Sequence, residues 1–265
     1  MQKKKWSALI CMLFLLTAVL TACGDQEKSG SLKVGVRDDI MNFGYLNEET
    51  GKYYGLEIDL AEKLGEKLGY EEVEFVTVRP DNRKEMLEEG KVDCLIAAYS
   101  IADTRKESFD FSVPYYTDET GIMVEKSSLF QDVKDLKGKT VGILAGSNAG
   151  PLLAQKLYEL GIITDKVISN TDTATEYEGA SVIKTEKYSD LDRLLETGEV
   201  DAVCMDKCIA QNYLNDSRKY LDVAVAQQQY GVATKKDSDL SKPVADAIQE
   251  MLDDGTIAEL IDKWN

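Results

Sequence analysis

Leu87-Glu88-Glu89-Gly90-Lys91-Val92-Asp93-Cys94-Leu95 and Leu195-Glu196-Thr197-Gly198-Glu199-Val200-Asp201-Ala202-Val203 are one short pattern written twice. Each copy joins the end of a helix, a glycine suited to a left-handed cap, and apolar residues fit for a buried strand. A matching strand stands upstream of each copy: Leu32-Lys33-Val34-Gly35-Val36 before the first, Lys139-Thr140-Val141-Gly142-Ile143 before the second. The interval from Gly35 to Gly90 equals that from Gly142 to Gly198 to within one residue. Agreement in both order and spacing predicts two similar α/β lobes in series. Such a pair offers a small-molecule pocket at the interface and at the carboxyl ends of its parallel strands.

The first residues read as an export signal. Lysines at positions 3, 4 and 5 precede an apolar run from Ala8 to Leu20, broken at Thr17 and too short for a comfortable transmembrane helix. Leu20-Thr21-Ala22-Cys23 resembles the bacterial lipobox, which implies cleavage after Ala22 and lipidation of Cys23. An ordinary signal peptide with an incidental cysteine is the alternative. Several acyl chains anchor stably where one is marginal, and Gly24 to Ser31 is small and polar enough to serve as a tether. The expected division is a signal peptide over 1–22, a lipidated tether over 23–31, a first lobe from 32–125 and 228–265, and a second lobe over 126–227.

Composition narrows the function. The chain has 265 residues, 31 Lys and Arg against 48 Asp and Glu, and a net charge of −17. That surface argues against nucleic acid and anionic lipid as partners, so any anion site must be built locally. The absence of histidine excludes histidine zinc sites and histidine-dependent catalysis. No cofactor or metal is expected. Cys94 and Cys204 lie in the repeat strands and read as small buried apolar residues. A Cys204–Cys208 disulfide is conceivable but badly placed, because the chain passes from strand to helix between the two.

Apolar residues at Leu56, Leu60, Ala61, Leu64 and Leu68 share one helical face, with Gly69 as the stop. Val73 to Val78 is a strand, Gly44 to Gly51 a hairpin turn, and Pro80-Asp81 opens a short helix through Leu87. In the second lobe Pro151 marks a helix start, Val182 to Lys184 is a strand, and Leu191 to Leu195 is helical. Leu221 to Ala224 and Gly231 to Thr234 read as strands returning to the first lobe. Leu240 to Trp264 is a closing helical region broken near Gly255. Two crossings, near Lys126 and near Gln227, make a hinge.

Polar residues gather at the carboxyl ends of the repeat strands. Ala98-Tyr99-Ser100 through Arg105 combines a backbone carbonyl, a hydroxyl and a guanidinium, which suit an amino acid's head group. Arg105 is able to grip a carboxylate with two parallel hydrogen bonds, and reads equally as a surface residue beside Lys106. Asp206 follows the second repeat strand and suits an ammonium group; its other reading is a helix N-cap. Gly146-Ser147-Asn148-Ala149-Gly150 joins a strand to a helix, where free amides favour an anion. It lacks the lysine and spacing of a nucleotide-binding loop.

Val34-Gly35-Val36-Arg37, Gly55 to Leu60, Gly90 to Asp93, Thr104-Arg105-Lys106, Asp110 to Tyr116, Leu136 to Gly142 and Val200 to Lys207 together resemble the extracytoplasmic amino-acid-binding proteins of bacterial ABC importers. The resemblance covers nearly all of the folded part. It implies a two-lobed periplasmic-binding-protein fold of type II, each lobe a mainly parallel sheet flanked by helices. It also implies an extracytoplasmic monomer, anchored to the membrane through its lipid, that delivers an L-amino acid to a membrane permease and performs no catalysis. In the family the position of Arg105 holds the α-carboxylate and that of Asp206 the α-amino group. Ala98, Ser100, Ser147 and Asn148 complete the head-group site, and Phe43 packs on the ligand's aliphatic part. Family members often carry threonine where this chain has Asn148. Arg83 and Arg37 match basic residues of glutamate and aspartate binders, so an acidic amino acid is the leading expectation. Asn82-Arg83 also occurs in cystine- and cysteine-binding relatives, which keeps those and other polar amino acids open. A surface pairing of Arg83 with Glu85 or Glu88 is the alternative to a pocket role. An enzyme of the cyclohexadienyl dehydratase type, drawing on Glu57, Asp59 or Asp206, and a sensory lipoprotein are the remote readings.

Overall fold

The computed structural model describes residues 28–264, so the expected signal peptide and the expected lipidation at Cys23 fall outside the described residues. The described residues open with β1 (Lys28–Val36). A small antiparallel sheet follows, made of β2 (Asp39–Ile40), β3 (Gly44–Asn47) and β4 (Lys52–Tyr54). Next come α1 (Leu56–Lys67), β5 (Tyr70–Thr77), α2 (Arg83–Glu88), β6 (Cys94–Ile96), the single turn α3 (Asp103–Lys106), β7 (Phe109–Phe111) and the long β8 (Tyr116–Glu125). The middle of the chain supplies β9 (Thr140–Leu144), α4 (Ala149–Glu159), β10 (Val167–Asn170), β11 (Ala174–Tyr177), β12 (Ala180–Thr185), α5 (Tyr188–Glu196), β13 (Ala202–Asp206), α6 (Lys207–Ala210) and β14 (Arg218–Tyr220). It returns through β15 (Ala226–Tyr230) and β16 (Ala233–Lys235) and closes with α7 (Ser241–Asp253) and α8 (Thr256–Trp264).

Two sheets organise these elements. The first has the order β5-β1-β6-β16-β7, with β5, β1 and β6 parallel. The second has the order β10-β11-β12-β9-β13-β8-β14, with a parallel centre of β12, β9 and β13, and β15 added along β8.

The written repeat has a physical reason. Gly90 and Gly198 cap their helices at φ +71° and +72°, left-handed values that a side chain disfavours. Asp93 and Asp201 then perform the same task. The Asp93 amide donates to the Lys33 carbonyl at 2.8 Å while its carboxylate accepts from the Lys33 amide at 2.8 Å. Asp201 makes the same two bonds to Thr140, at 2.8 and 2.9 Å. Each aspartate thus aligns its strand with the upstream parallel one. Gly35 and Gly142 sit beneath the equivalent pairs Val92 with Leu95 and Val200 with Val203, and an added Cβ would press on Leu95 at 2.6 Å in the first case and on Leu191 at 2.8 Å in the second. The repeated residues build two scaffolds; the ligand candidates begin where each copy ends.

Helix α1 forms as expected and buries Leu56, Leu60, Ala61 and Leu64, each at 2 % exposure or less. Full burial of one such leucine is worth about 1.5–3 kcal/mol. Asp59 on this helix accepts from Lys263 Nζ at 2.7 Å and Trp264 Nε1 at 2.6 Å, which docks α8. Asp59 is therefore a structural residue, not an acid of the cleft.

The chain passes between the sheets on β8 and β15, which pair from Tyr116↔Tyr230 to Thr120↔Ala226. Beyond Thr120, β8 already pairs with β13 and β14 of the second sheet. The strand expected over Leu221 to Ala224 does not form; β14 ends before it and β15 starts after it. The hairpin β10–β11 was not expected, because Val167 to Asn170 is exposed along its whole length and has no buried face to set a pattern. Cys94, Cys204 and Cys208 are buried free thiols, so the conceivable Cys204–Cys208 disulfide is not formed.

Candidate functional site

Beyond the carboxyl end of β6 the chain bends sharply. Ala98 has φ +45° and gives its amide to Glu57 Oε1 at 2.6 Å. Tyr99 buries its ring, and Ser100 pairs in a single bridge with Tyr230 of β15. Two guanidinium groups lie over the Tyr99 ring, Arg83 at 4.3 Å and Arg105 at 4.4 Å. Arg105 also donates to the Ser100 carbonyl at 2.9 Å, while its neighbour Lys106 pairs with Asp103. Arg105 is thus turned inward onto the Ser100 segment, and it has no carboxylate at ion-pair distance among the described residues. Burial lowers its pKa from the usual arginine value, opposed by Tyr99 and Asp206.

Asp206 ends β13 opposite Thr120 of β8. It stands at the N-cap position of α6 but makes no capping bond with its side chain. Its Oδ1 accepts from Thr120 Oγ1 at 2.6 Å and its Oδ2 from the Tyr230 hydroxyl at 2.5 Å. Burial raises its carboxyl above the ordinary aspartate range, and the Arg105 cation opposes that rise. Arg105 and Asp206 therefore interact electrostatically without closing into an ion pair. A positive and a negative group held near each other but uncombined suit the two charges of a zwitterion.

The loop after β9 reaches the same place. Asn148 Nδ2 donates to Gln228 Oε1 at 3.2 Å, Gln228 Nε2 donates to Thr120 Oγ1 at 3.0 Å, and Thr120 donates on to Asp206. Ser147 donates its hydroxyl to the Leu144 carbonyl at 2.7 Å, shaping the turn. Gly146, at φ +69°, lies against the first lobe: an added Cβ would stand 2.8 Å from the Pro80 carbonyl oxygen. Phe43 meets Tyr116 edge-on at 4.9 Å and Tyr230 at 6.3 Å, which places it on the Tyr230 side of Asp206.

The two arginines expected in the side-chain pocket differ. Arg37 is 1 % exposed and forms a two-pronged bond with Asp39, at 2.9 and 2.8 Å, with its guanidinium 5.7 Å from the Tyr188 ring. Its charge is matched. Arg83 is 3 % exposed, donates Nη1 to the Ala97 carbonyl at 2.8 Å, and leaves a buried Nε without an acceptor. Burial, with Arg105 and Arg37 nearby, lowers it to about 9. Lys84, not Arg83, pairs with Glu88, so the surface alternative does not hold.

A cavity of about 650 Å³ opens between the lobes beside Arg37, lined by Asp38, Asp39 and Arg79 from one side and Lys187, Tyr188 and Tyr213 from the other. Arg79 bonds Asp38 at 3.0 Å. Sequence reading missed this group. Tyr188, Tyr213, Asp38 and Asp39 lie outside the repeated motif and were not singled out.

A cleft between two α/β lobes, with opposed charges from each lobe at its strand ends, defines a receptor for a small dipolar solute. The chain belongs to the bacterial extracellular solute-binding proteins, family 3, whose pattern it matches over residues 32–265. It is 30 % identical to the L-cystine-binding protein TcyJ of Escherichia coli strain K12 over 90 % of this chain and 84 % of the relative. It is 26 % identical to the L-glutamate/L-aspartate-binding protein of Pseudomonas aeruginosa, covering 90 % and 78 %. Among solved structures, an ancestral arginine-binding protein bound to arginine is 32 % identical with a TM-score of 0.73, covering 89 % of this chain and 98 % of that one.

Proposed function

We propose that this protein captures an L-amino acid between its lobes for an ABC importer and favours glutamate or aspartate. The observation that carries the reading is the set of three charges that form no ion pair among the described residues: Arg105 and Asp206 uncombined, and Arg83 buried with no carboxylate at ion-pair distance. The first two suit the carboxylate and ammonium of any amino acid. The third favours a further anion on the side chain, because burying a lone cation is costly until it is paired. Arg37 contributes less than its position in the sequence suggests, since Asp39 already neutralises it. A basic side chain would add a third cation beside Arg83 and Arg105, which disfavours arginine even though an arginine-binding structure is similar. Cystine is the second reading, supported by the likeness to TcyJ and by its distal carboxylate.

The lobes turn about the β8–β15 ladder in this reading, a few residues ahead of Lys126 and at Gln227. Only the closed arrangement touches both ends of the ligand, so ligand favours closure. No catalysis is proposed: Glu57 is tied to Ala98 and Tyr115, and Asp59 to α8.

Thermal unfolding against each common L-amino acid and cystine tests the substrate. A hundredfold excess over Kd adds about 2.7 kcal/mol of stability. Glutamate or aspartate is expected to give the largest rise; a rise with cystine and none with either acid contradicts the assignment. Arg83→Met, which keeps packing on Tyr99, is expected to cost about 1.5–3 kcal/mol of glutamate affinity and far less for glutamine. Equal losses for both remove Arg83 from side-chain recognition. Membrane anchoring is proposed to rest on Cys23; Cys23→Ser is expected to release the protein from the membrane fraction, and retention there refutes it.

A further inference from the structure

We infer that Glu57 is a positioning residue of the ligand site: it fixes the Ala98 turn so that the segment from Ala98 to Ser100 faces the cleft. This rests on the amino-acid reading above only for the identity of the ligand.

Glu57 lies in the first turn of α1 and is fully buried. One of its oxygens, Oε1, receives donors from two other parts of the first lobe: the Ala98 amide after β6 at 2.6 Å and the Tyr115 hydroxyl before β8 at 2.5 Å. Ala98 is held at φ +45°, a left-handed value that a residue with a Cβ does not adopt without support. The bend is bracketed by arginine bonds, Arg83 to the Ala97 carbonyl and Arg105 to the Ser100 carbonyl. Glu57 therefore holds the N–H side, and Arg83 the C=O side, of the Ala97–Ala98 peptide plane from which the left-handed turn at Ala98 departs.

The carboxylate carries a cost as well as a gain at this position. Its second oxygen, Oε2, is buried with no hydrogen-bond donor among the described residues. Burial raises its carboxyl above the usual glutamate value, against the lowering by Tyr115, the Ala98 amide, Arg37 and Arg83. An unsatisfied buried oxygen is a cost that an apolar residue of equal size avoids. What the apolar residue lacks is a single acceptor that takes both donors.

Glu57→Gln and Glu57→Leu separate geometry from charge and packing. Glutamine keeps an oxygen for both donors; leucine keeps the volume without the acceptor. Amide hydrogen exchange read by NMR is the ligand-free measurement. The Ala98 amide is expected to exchange at wild-type rate in Glu57→Gln and at least tenfold faster in Glu57→Leu, with α1 amides unchanged. Affinity is read with glutamate and with glutarate, which lacks the α-amino group. Glu57→Gln is expected to bind glutamate within threefold of wild type. Glu57→Leu is expected to lose at least tenfold for glutamate and much less for glutarate. Unchanged Ala98 exchange in Glu57→Leu, equal loss for both ligands, or a tenfold weaker Glu57→Gln overturns the inference. Should Glu57→Leu not fold, the Gln variant decides alone. A wild-type protein that binds no amino acid contradicts the functional reading instead, and the exchange rates still decide the role of Glu57.

Discussion

Arg105→Ala is expected to weaken binding of the amino acid by about 2–5 kcal/mol, because it leaves the ligand's carboxylate buried without its partner. Tenfold in affinity corresponds to about 1.4 kcal/mol, so the loss is roughly 30-fold at least. The ligand-free protein is expected to keep its unfolding temperature nearly unchanged. Arg105 is half-buried in the four-residue α3, makes a single side-chain hydrogen bond, to Ser100, and rests on Tyr99. Calorimetric titration paired with thermal unfolding separates the two effects. Binding within threefold of wild type takes Arg105 out of the site.

Gly146→Ala carries the second large effect, and its logic is that of a difference between two states. Gly146 has φ +69° and its added Cβ would stand 2.8 Å from the Pro80 carbonyl oxygen of the opposite lobe. The left-handed backbone penalty, about 1–2 kcal/mol, is present whether the lobes are open or closed and cancels in binding. The collision exists only when the lobes meet. Overpacking of this kind costs about 1–3 kcal/mol, so ligand affinity is expected to fall by that amount and the scattering-derived radius of the ligand-saturated protein to stay larger. An affinity equal to wild type would show that the loop does not meet Pro80 when ligand is bound.

The fold was legible because its scaffold residues are local and periodic. Gly90, Asp93, Gly198 and Asp201 each act on a neighbour whose position follows from strand spacing, so their repetition reads directly as two lobes. The hairpin β10–β11 was illegible for the opposite reason: strand β10 is exposed along its whole length and buries no face. Strand β15 was partly missed because Gln227-Gln228-Gln229 has no apolar alternation; its place is fixed by pairing with β8, more than a hundred residues earlier.

The candidate site divides the same way. Arg105 and Asp206 were legible as polar residues closing the repeat strands. What the chain does not announce is who neutralises whom. Arg37 and Arg83 look alike in sequence, each a lone cation beside a strand or helix end. In the fold Asp39 matches Arg37, whereas Arg83 bonds a carbonyl and lies over a ring with no carboxylate at ion-pair distance among the described residues. The chain of bonds from Asn148 through Gln228 and Thr120 to Asp206 joins four segments far apart in sequence. Glu57 was visible only as one carboxylate near the cleft, because its task depends on the backbone angle of Ala98.

A crystal structure of the protein grown with its amino-acid ligand decides the whole picture. The expected result is a ligand enclosed between the lobes, its carboxylate oxygens bonded to the Arg105 guanidinium and its ammonium nitrogen to the Asp206 carboxylate. A ligand bound elsewhere, or one that leaves either of those two side chains beyond hydrogen-bonding distance, contradicts it.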